Sequence, residues 1–192
     1  MTESFEKTKV AGSIAAGALD EVNNIIKPGV STSEIDKLCY EYINDHKAFS
    51  APLYYRGYPK SCCTSSNHVV CHGIPSEKIL NDGDILNVDV TAIKDGWHGD
   101  TSRMFVVGEC SVKAKKLIKT TYEAMMEAIK IIKANIKIGN IGYTIQKIVE
   151  AEGFSVVRDF CGHGIGKKFH ESPNVLHYGE KNSGQELKAG MI

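Results

Sequence analysis

Two aspartates in a predicted β-hairpin, Asp89 and Asp100, have the residue type and spacing that point most directly to chemistry. Apolar and polar side chains alternate over residues 85–93, which predicts a strand with one apolar face. Asp95-Gly96 is a favoured two-residue turn, and residues 97–107 supply the returning strand. If the turn takes only those two residues, the aspartates lie diagonally on one face, with Cα atoms about 7–8 Å apart.

Two carboxylates on one strand face repel each other unless a positive group lies between them. A metal ion, or each side of a close metal pair, would remove that repulsion. The alternative is that Asp89 and Asp100 are solvent-facing polar residues on an open sheet. We favour the metal because aspartate is depleted in strands.

Three histidines lie in loop-like sequence that could complete such a site. His163 stands between two glycines, which let a backbone approach a ligand closely, while His170 and His72 lie in short polar and glycine-containing segments. A single histidine of this kind is more often structural, but three of them together with two carboxylates favour Mn, Fe, Co or Zn. The other four are interpreted as ordinary polar residues: His46, His68, His98 and His177.

Four helices and two strand-rich regions are expected to position these residues. Apolar residues at helical spacing and Lys27-Pro28-Gly29 predict a first helix over 3–26 with Val10, Ile14, Ala18, Val22 and Ile25 on its apolar face. A capping box formed by Ser31 and Glu34 predicts the start of the second helix. The remaining predictions are helices over about 111–133 and 141–152, with strands and loops over 50–107 and 154–192.

The sequence contains a weak internal repeat. Ile26-Lys-Pro-Gly29 aligns with Ile136-Lys-Ile-Gly139 at an offset of 110 residues, and further along, at a shorter offset, the His-Gly-Ile of residues 72–74 resembles that of residues 163–165. The common order of helices and motifs predicts one domain over residues 1–192, built from two related halves, about 1–110 and 111–192, with the second half expected to be cut short at the C-terminus.

Composition excludes several classes of function. Lysine plus arginine (23) balances aspartate plus glutamate (23), and no basic stripe is present, which argues against DNA as a partner. No apolar run approaches the roughly 18 residues of a membrane span, and the acidic start of the sequence is unlike a signal peptide. We therefore expect a cytoplasmic protein. Its six cysteines are expected to be reduced and buried, since no Cys-x-x-Cys pair suggests a metal site or a redox motif.

Five motifs stand out in the sequence: Tyr58-Pro-Lys60-Ser, Cys71-His-Gly-Ile-Pro75, Asn87-Val-Asp89-Val, Trp97-His-Gly-Asp100-Thr-Ser102 and Cys161-Gly-His-Gly-Ile-Gly166. Taken together, these motifs resemble those of bacterial type I methionine aminopeptidases. The resemblance covers essentially all 192 residues in the same order. It implies an α+β pita-bread fold, in which two pseudo-twofold-related halves combine an antiparallel sheet with flanking helices. It also implies removal of the initiator methionine from nascent proteins by attack of a metal-activated hydroxide on the first peptide bond.

The same resemblance implies roles for individual residues. Asp89, Asp100 and His163 would bind one or two divalent ions, which could be Co, Mn, Fe, Zn or Ni. His170 would face the substrate carbonyl and help stabilise the tetrahedral intermediate, and His72 would contact the scissile amide or the residue after methionine. The partners implied are the N-terminal methionine of nascent chains and, transiently, the ribosome, for a monomeric enzyme. The residues that would form the methionine pocket are Tyr55, Tyr58, Cys63 and Phe169.

The sequence departs from the family pattern at its end. The family continues into strands that carry two further glutamate ligands, and neither lies within residues 1–192. We therefore expect a chain of these 192 residues alone to bind metal weakly and to hydrolyse nothing. The alternatives are a truncated inactive paralogue, a non-enzymatic pita-bread binding protein, which would typically lose the metal ligands, and an X-Pro peptidase, which usually carries a sizeable N-terminal domain.

Overall fold

The fold is taken from a computed structural model that describes residues 3–192. The chain forms two compact units. The first runs to Ser111 and also takes in Gly166–Phe169, and the second contains Val112–Ile165 and His170–Ile192.

Four helices, six strands and a short 3-10 turn at Tyr55–Gly57 make up the regular structure of the described residues. The four predicted helices are confirmed, with ends that agree within about three residues. The helices are α1 (Glu3–Ile25), α2 (Thr32–Asp45), α3 (Val112–Lys130) and α4 (Gly139–Ala151), and the strands are β1 (Phe49–Ser50), β2 (Cys63–Ser66), β3 (Ile85–Lys94), β4 (Trp97–Val106), β5 (Gly162–Gly164) and β6 (Glu171–Val175).

An antiparallel sheet centred on β3 forms the base of the first unit. β3 pairs with β1, β2 and β4, and β4 follows it along its whole length. The alternation in β3 buries one face completely, because α1 packs against it. The side chains on that face are Leu86, Val88, Val90 and Ala92, and the helix contributes Ile14, Ala15, Ala18, Leu19 and Val22.

The predicted apolar face of α1 is wrong at its first position, since Val10 is 49% exposed. Burial begins at Ala11 instead. The reason is the close approach of β4, where a Cβ on Gly99 would overlap the backbone of Ala11 and Gly12. Helix and strand are so near at this point that small residues form the contact.

The start of α2 is the predicted capping box. The Ser31 hydroxyl accepts the Glu34 N–H at 3.2 Å, and the Glu34 carboxylate accepts the Ser31 N–H at 2.7 Å. These two bonds satisfy donors that a helix N-terminus otherwise leaves without partners. The helix then buries Ile35, Cys39 and Ile43.

In the second unit, helices α3 and α4 come first along the chain, and they are followed by the antiparallel strand pair β5 and β6. Residues 154–192 thus contain the predicted strands and loops, with an irregular register between His163 and Gly164. Ala124 and Ala128 of α3 and Ile141 of α4 are buried.

The six cysteines are free, as expected. Cys71 and Cys161 are only partly buried, so the prediction that all six are buried is wrong for these two. Both lie in glycine-containing loops beside histidines, where the chain stays near the surface. Among residues 3–192, none of the helices has the length and apolar character needed to cross a bilayer.

Candidate active site

The carboxylate hairpin has the predicted register. Lys94 pairs with Trp97, and Asp100 lies opposite the residue two positions after Asp89. The turn residues Asp95 and Gly96 both have left-handed backbone conformations, with φ of 50° and 78°. Such a turn matches the twist of the flanking strands, so it sets the register of the whole hairpin. Asp89 and Asp100 therefore lie diagonally on one face, as predicted.

The two carboxylates interact directly. Burial, followed by the charge of Asp100 and a hydrogen bond to it, raises the pKa of Asp89 from 3.8 to about 7. The Thr91 hydroxyl donates to Asp100 Oδ1 at 2.8 Å and orients that carboxylate. Without a cation, the pair therefore holds a proton more readily than two separate, exposed carboxylates would. A divalent ion fits this donor pair, because its charge would let both carboxylates ionise.

Two thiols lie beside the carboxylates. Cys63 of β2 pairs with Asp89 of β3. The pKa of Cys63 is raised to about 11, mainly by burial and also by the charges of Asp89 and Asp100, while a hydrogen bond from Tyr58 lowers it. Burial and then Asp89 also raise the pKa of Cys71. Both thiols stay neutral at physiological pH, so neither is an activated nucleophile.

His72 lies in a segment that is held along β2. Its φ of 55° is left-handed, a conformation uncommon for a residue with a side chain. The Gly73 carbonyl accepts the Thr64 N–H at 2.8 Å. The Tyr58 hydroxyl lies 2.9 Å from the same carbonyl and 3.0 Å from that of Cys62. These contacts stabilise the backbone conformation next to His72.

Aromatic rings form a second group in the first unit. The rings of Tyr55 and Phe169 are 5.0 Å apart between centroids and inclined at 59°. The residues on both sides of Tyr55 are left-handed, Tyr54 with φ of 67° and Arg56 with φ of 50°. Of the four predicted pocket residues, the structure brings Tyr55 to Phe169 and Tyr58 to Cys63.

The second unit brings together two of the predicted histidines. The rings of His163 and His170 are 4.3 Å apart. His163 Nδ1 lies 2.9 Å from the Gly164 carbonyl, which only accepts, so Nδ1 is the donor in this contact. Among residues 3–192, no group of three or more His, Cys, Asp and Glu side chains that could hold a metal is present. The predicted ligand set of Asp89, Asp100 and His163 therefore stays a prediction.

The interpretation of His98 as an ordinary polar residue is wrong. Its side chain is buried, and Nδ1 lies 3.0 Å from the Gly166 carbonyl. Its ring stacks on that of Phe169, with centroids 5.7 Å apart. The signal available in the sequence was the alternation of β4, which places His98 on the same face as Asp100.

The other three histidines have different surroundings. His46 is exposed, and its Nδ1 lies 2.8 Å from the Tyr42 carbonyl. Burial lowers the pKa of His177, so this ring is more often neutral than an exposed histidine. His68 is exposed.

Comparison with known proteins agrees with this geometry. Residues 6–192 match the model of metallopeptidase family M24. The chain is 51% identical over 190 residues to the methionine aminopeptidase of Rickettsia prowazekii (strain Madrid E), covering 99% of this chain and 73% of that protein. It is 54% identical over 191 residues to the methionine aminopeptidase of Escherichia coli (strain K12), covering 98% and 72%.

Solved structures give the same result. The crystal structure of the Rickettsia prowazekii methionine aminopeptidase matches all of this chain and 77% of that one, with a TM-score of 0.97 and 52% identity. A prolidase from Pyrococcus furiosus matches with a TM-score of 0.83 at 23% identity over 100% of this chain and 54% of that one, which shows the fold alone.

The fold and the carboxylate hairpin define a metallopeptidase of the pita-bread class. The chain belongs to metallopeptidase family M24, and the similar proteins from Rickettsia prowazekii and Escherichia coli are methionine aminopeptidases. The predicted resemblance and fold class are both confirmed.

Proposed function

We propose that this protein is a metal-dependent aminopeptidase that removes the N-terminal methionine from nascent polypeptides. The observation that carries the proposal is the Asp89–Asp100 pair, in which a half-buried carboxylate and its neighbour lie on one face of the β3–β4 hairpin. Identities of 51% and 54% to proteins named methionine aminopeptidase support the same activity.

Membership of the family implies a divalent metal, and the carboxylate pair fits one. In this proposal Asp89 and Asp100 would hold one or two ions, and His163 would provide a further ligand through Nε2, because its Nδ1 donates to the Gly164 carbonyl. When bound, a divalent ion supplies an activated water and a Lewis acid at the scissile carbonyl. Co, Mn, Fe, Zn and Ni are all compatible with two carboxylates and one imidazole.

Substrate binding and polarisation fall to the chain's own side chains. His170 would donate a hydrogen bond to the oxygen of the scissile carbonyl, where negative charge develops during attack. His72 would contact the scissile amide from its left-handed position beside β2. Thr91 would keep Asp100 oriented, since its hydroxyl already donates to that carboxylate.

The methionine side chain would lie against aromatic rings and a neutral thiol. Tyr55 and Phe169 supply ring edges and faces, which make favourable contacts with a thioether. Tyr58 and Cys63 complete this wall, and the raised pKa of Cys63 keeps its sulfur uncharged beside an apolar ligand.

The cellular setting follows from the reaction. Nascent chains emerge from ribosomes in the cytoplasm, so we infer a cytoplasmic protein in transient proximity to the ribosome. Its partner is the N-terminal methionine of a polypeptide, and neither DNA nor a membrane takes part. We infer a monomer, because each step above uses residues of one chain.

Release of free methionine from defined peptides tests the proposed activity. The complete gene product is freed of metal with a chelator, reloaded with Mn²⁺ or Co²⁺, and incubated with Met-Ala-Ser, Leu-Ala-Ser and Ala-Pro-Ser. We expect methionine from the first peptide only after reloading, and little product from the other two. Cleavage of Ala-Pro-Ser in preference to Met-Ala-Ser would instead identify an X-Pro peptidase.

A further inference from the structure

The Gly166–Phe169 segment belongs to the first unit and is held there by the start of β4. The Gly166 carbonyl accepts two hydrogen bonds from a single residue, His98. The backbone N–H of His98 donates at 2.8 Å, and its Nδ1 donates at 3.0 Å. Both lone pairs of this buried carbonyl are therefore used by one strand residue.

The side chain of His98 has little conformational freedom. It is 8% exposed and sits opposite Ile93 in the hairpin. Because a carbonyl cannot donate, Nδ1 must carry the proton, which fixes the tautomer and the orientation of the ring.

The ring of His98 also contacts the far end of the segment. Phe169 stacks on it with centroids 5.7 Å apart and planes 17° apart, and Tyr55 contacts Phe169 from another direction at 5.0 Å. The neighbouring strand residue holds the middle of the segment, since Lys167 Nζ lies 5.6 Å from the Trp97 ring. The first two residues of β4 thus contact the segment at three points.

We propose that His98 is a positioning residue. It fixes the position of Phe169, and thereby the position in which the substrate's methionine side chain binds. The inference rests on the proposed function, in which Phe169 forms part of the methionine pocket. Asp100 lies two residues further along the same face of β4. β4 therefore carries both Asp100, a carboxylate of the candidate metal site, and His98, which supports the wall of the methionine pocket. Because both residues lie on one strand, β4 would fix the distance between the bound thioether and the scissile bond.

Three variants separate the two contacts of His98. His98→Phe keeps a ring against Phe169 but loses the donor, His98→Asn keeps a donor near Nδ1 but loses the ring, and His98→Ala loses both. The matched control is His46→Ala, because His46 also lies against a backbone carbonyl, that of Tyr42 at 2.8 Å, and its ring contacts the Tyr42 ring at 4.3 Å. His46 is exposed and caps the C-terminal end of α2.

Steady-state kinetics of the complete gene product on Met-Ala-Ser give the first test. We expect His98→Ala to raise KM about tenfold while kcat changes less than about threefold, and His98→Asn and His98→Phe each to recover part of the KM. A fall in kcat with unchanged KM, an equal effect of His46→Ala, or no recovery by either partial variant would overturn the proposal.

Limited trypsin digestion gives a test that does not depend on activity. Lys167 and Lys168 are exposed within the held segment, so cleavage after them reports its release. In His98→Ala we expect the nicking rate to rise about tenfold at an unchanged circular dichroism spectrum, with His46→Ala behaving as wild type. An unchanged rate in His98→Ala would overturn the positioning role. If the wild-type protein releases no methionine, the proposed function fails, and the nicking rates still decide whether His98 holds the segment.

Discussion

Replacing Asp89 with asparagine should stabilise the metal-free protein at alkaline pH. In the folded protein the pKa of Asp89 is raised from 3.8 to about 7, first by burial and then by Asp100. Between these two values the folded state holds a proton that the unfolded state has released. The contribution of Asp89 to the free energy of unfolding is therefore fully present below the pKa of the unfolded state, and it is lost as the pH rises through about 7.

The size of the effect follows from the shift. A pKa raised from 3.8 to about 7 is equivalent to about 4 kcal/mol between the two protonation states. Asparagine removes the charge but leaves a polar amide in the same half-buried place, which keeps part of the desolvation cost. We therefore expect Asp89→Asn to raise the free energy of unfolding by about 1–3 kcal/mol at pH 8.

Urea denaturation in the presence of a chelator measures this difference. The wild-type protein and Asp89→Asn are compared at pH 4 and pH 8, with Asp45→Asn as the control because Asp45 is an exposed carboxylate at the end of α2. The gain should be present at pH 8 and small at pH 4, and the control should stay within about 0.5 kcal/mol at both. A variant less stable than wild type at pH 8, or a gain equal at both pH values, would refute the reasoning.

Three further predictions concern local packing and hydrogen bonds, each measured as a free energy of unfolding in urea. Ser31→Ala removes the capping box of α2 and should cost about 1 kcal/mol, whereas an unchanged value would contradict its role. Gly99→Ala should cost about 2 kcal/mol or more because its Cβ would overlap the α1 backbone; its control, Gly12→Ala, has open space and should be neutral or stabilising. Tyr58→Phe should lower the free energy of unfolding by about 1–2 kcal/mol and speed amide hydrogen exchange at Gly73. Unchanged exchange would contradict the inference that the Tyr58 hydroxyl stabilises that segment.

The hairpin could be predicted in full because its determinants are local. Alternation over 85–93 and the Asp95-Gly96 turn together define which residues face each other, and the structure has that register. The capping box at Ser31 is equally local, since both partners lie within one helical turn. These features need no knowledge of the rest of the chain.

The contacts that the sequence did not reveal join residues far apart. His98 bonds to a carbonyl 68 positions away, and Tyr58 bonds to one 15 positions away, so neither alternation nor helical spacing carries a trace of them. The exposure of Val10 has the same origin, because burial along α1 depends on how closely β4 approaches at Gly99. The raised pKa of Asp89 likewise depends on burial, which sequence alternation indicates only in part.

The central claim is that Asp89 and Asp100 form a divalent-metal site, and calorimetric titration of Mn²⁺ into the metal-free complete gene product tests it most directly. Wild type and the control Asp45→Asn should bind with the same affinity. Asp100→Asn should weaken binding by about 100-fold or more, because a direct ligand is lost and the neutral amide balances less of the ion's charge. Unchanged affinity in Asp100→Asn, at an unchanged circular dichroism spectrum, would contradict the account.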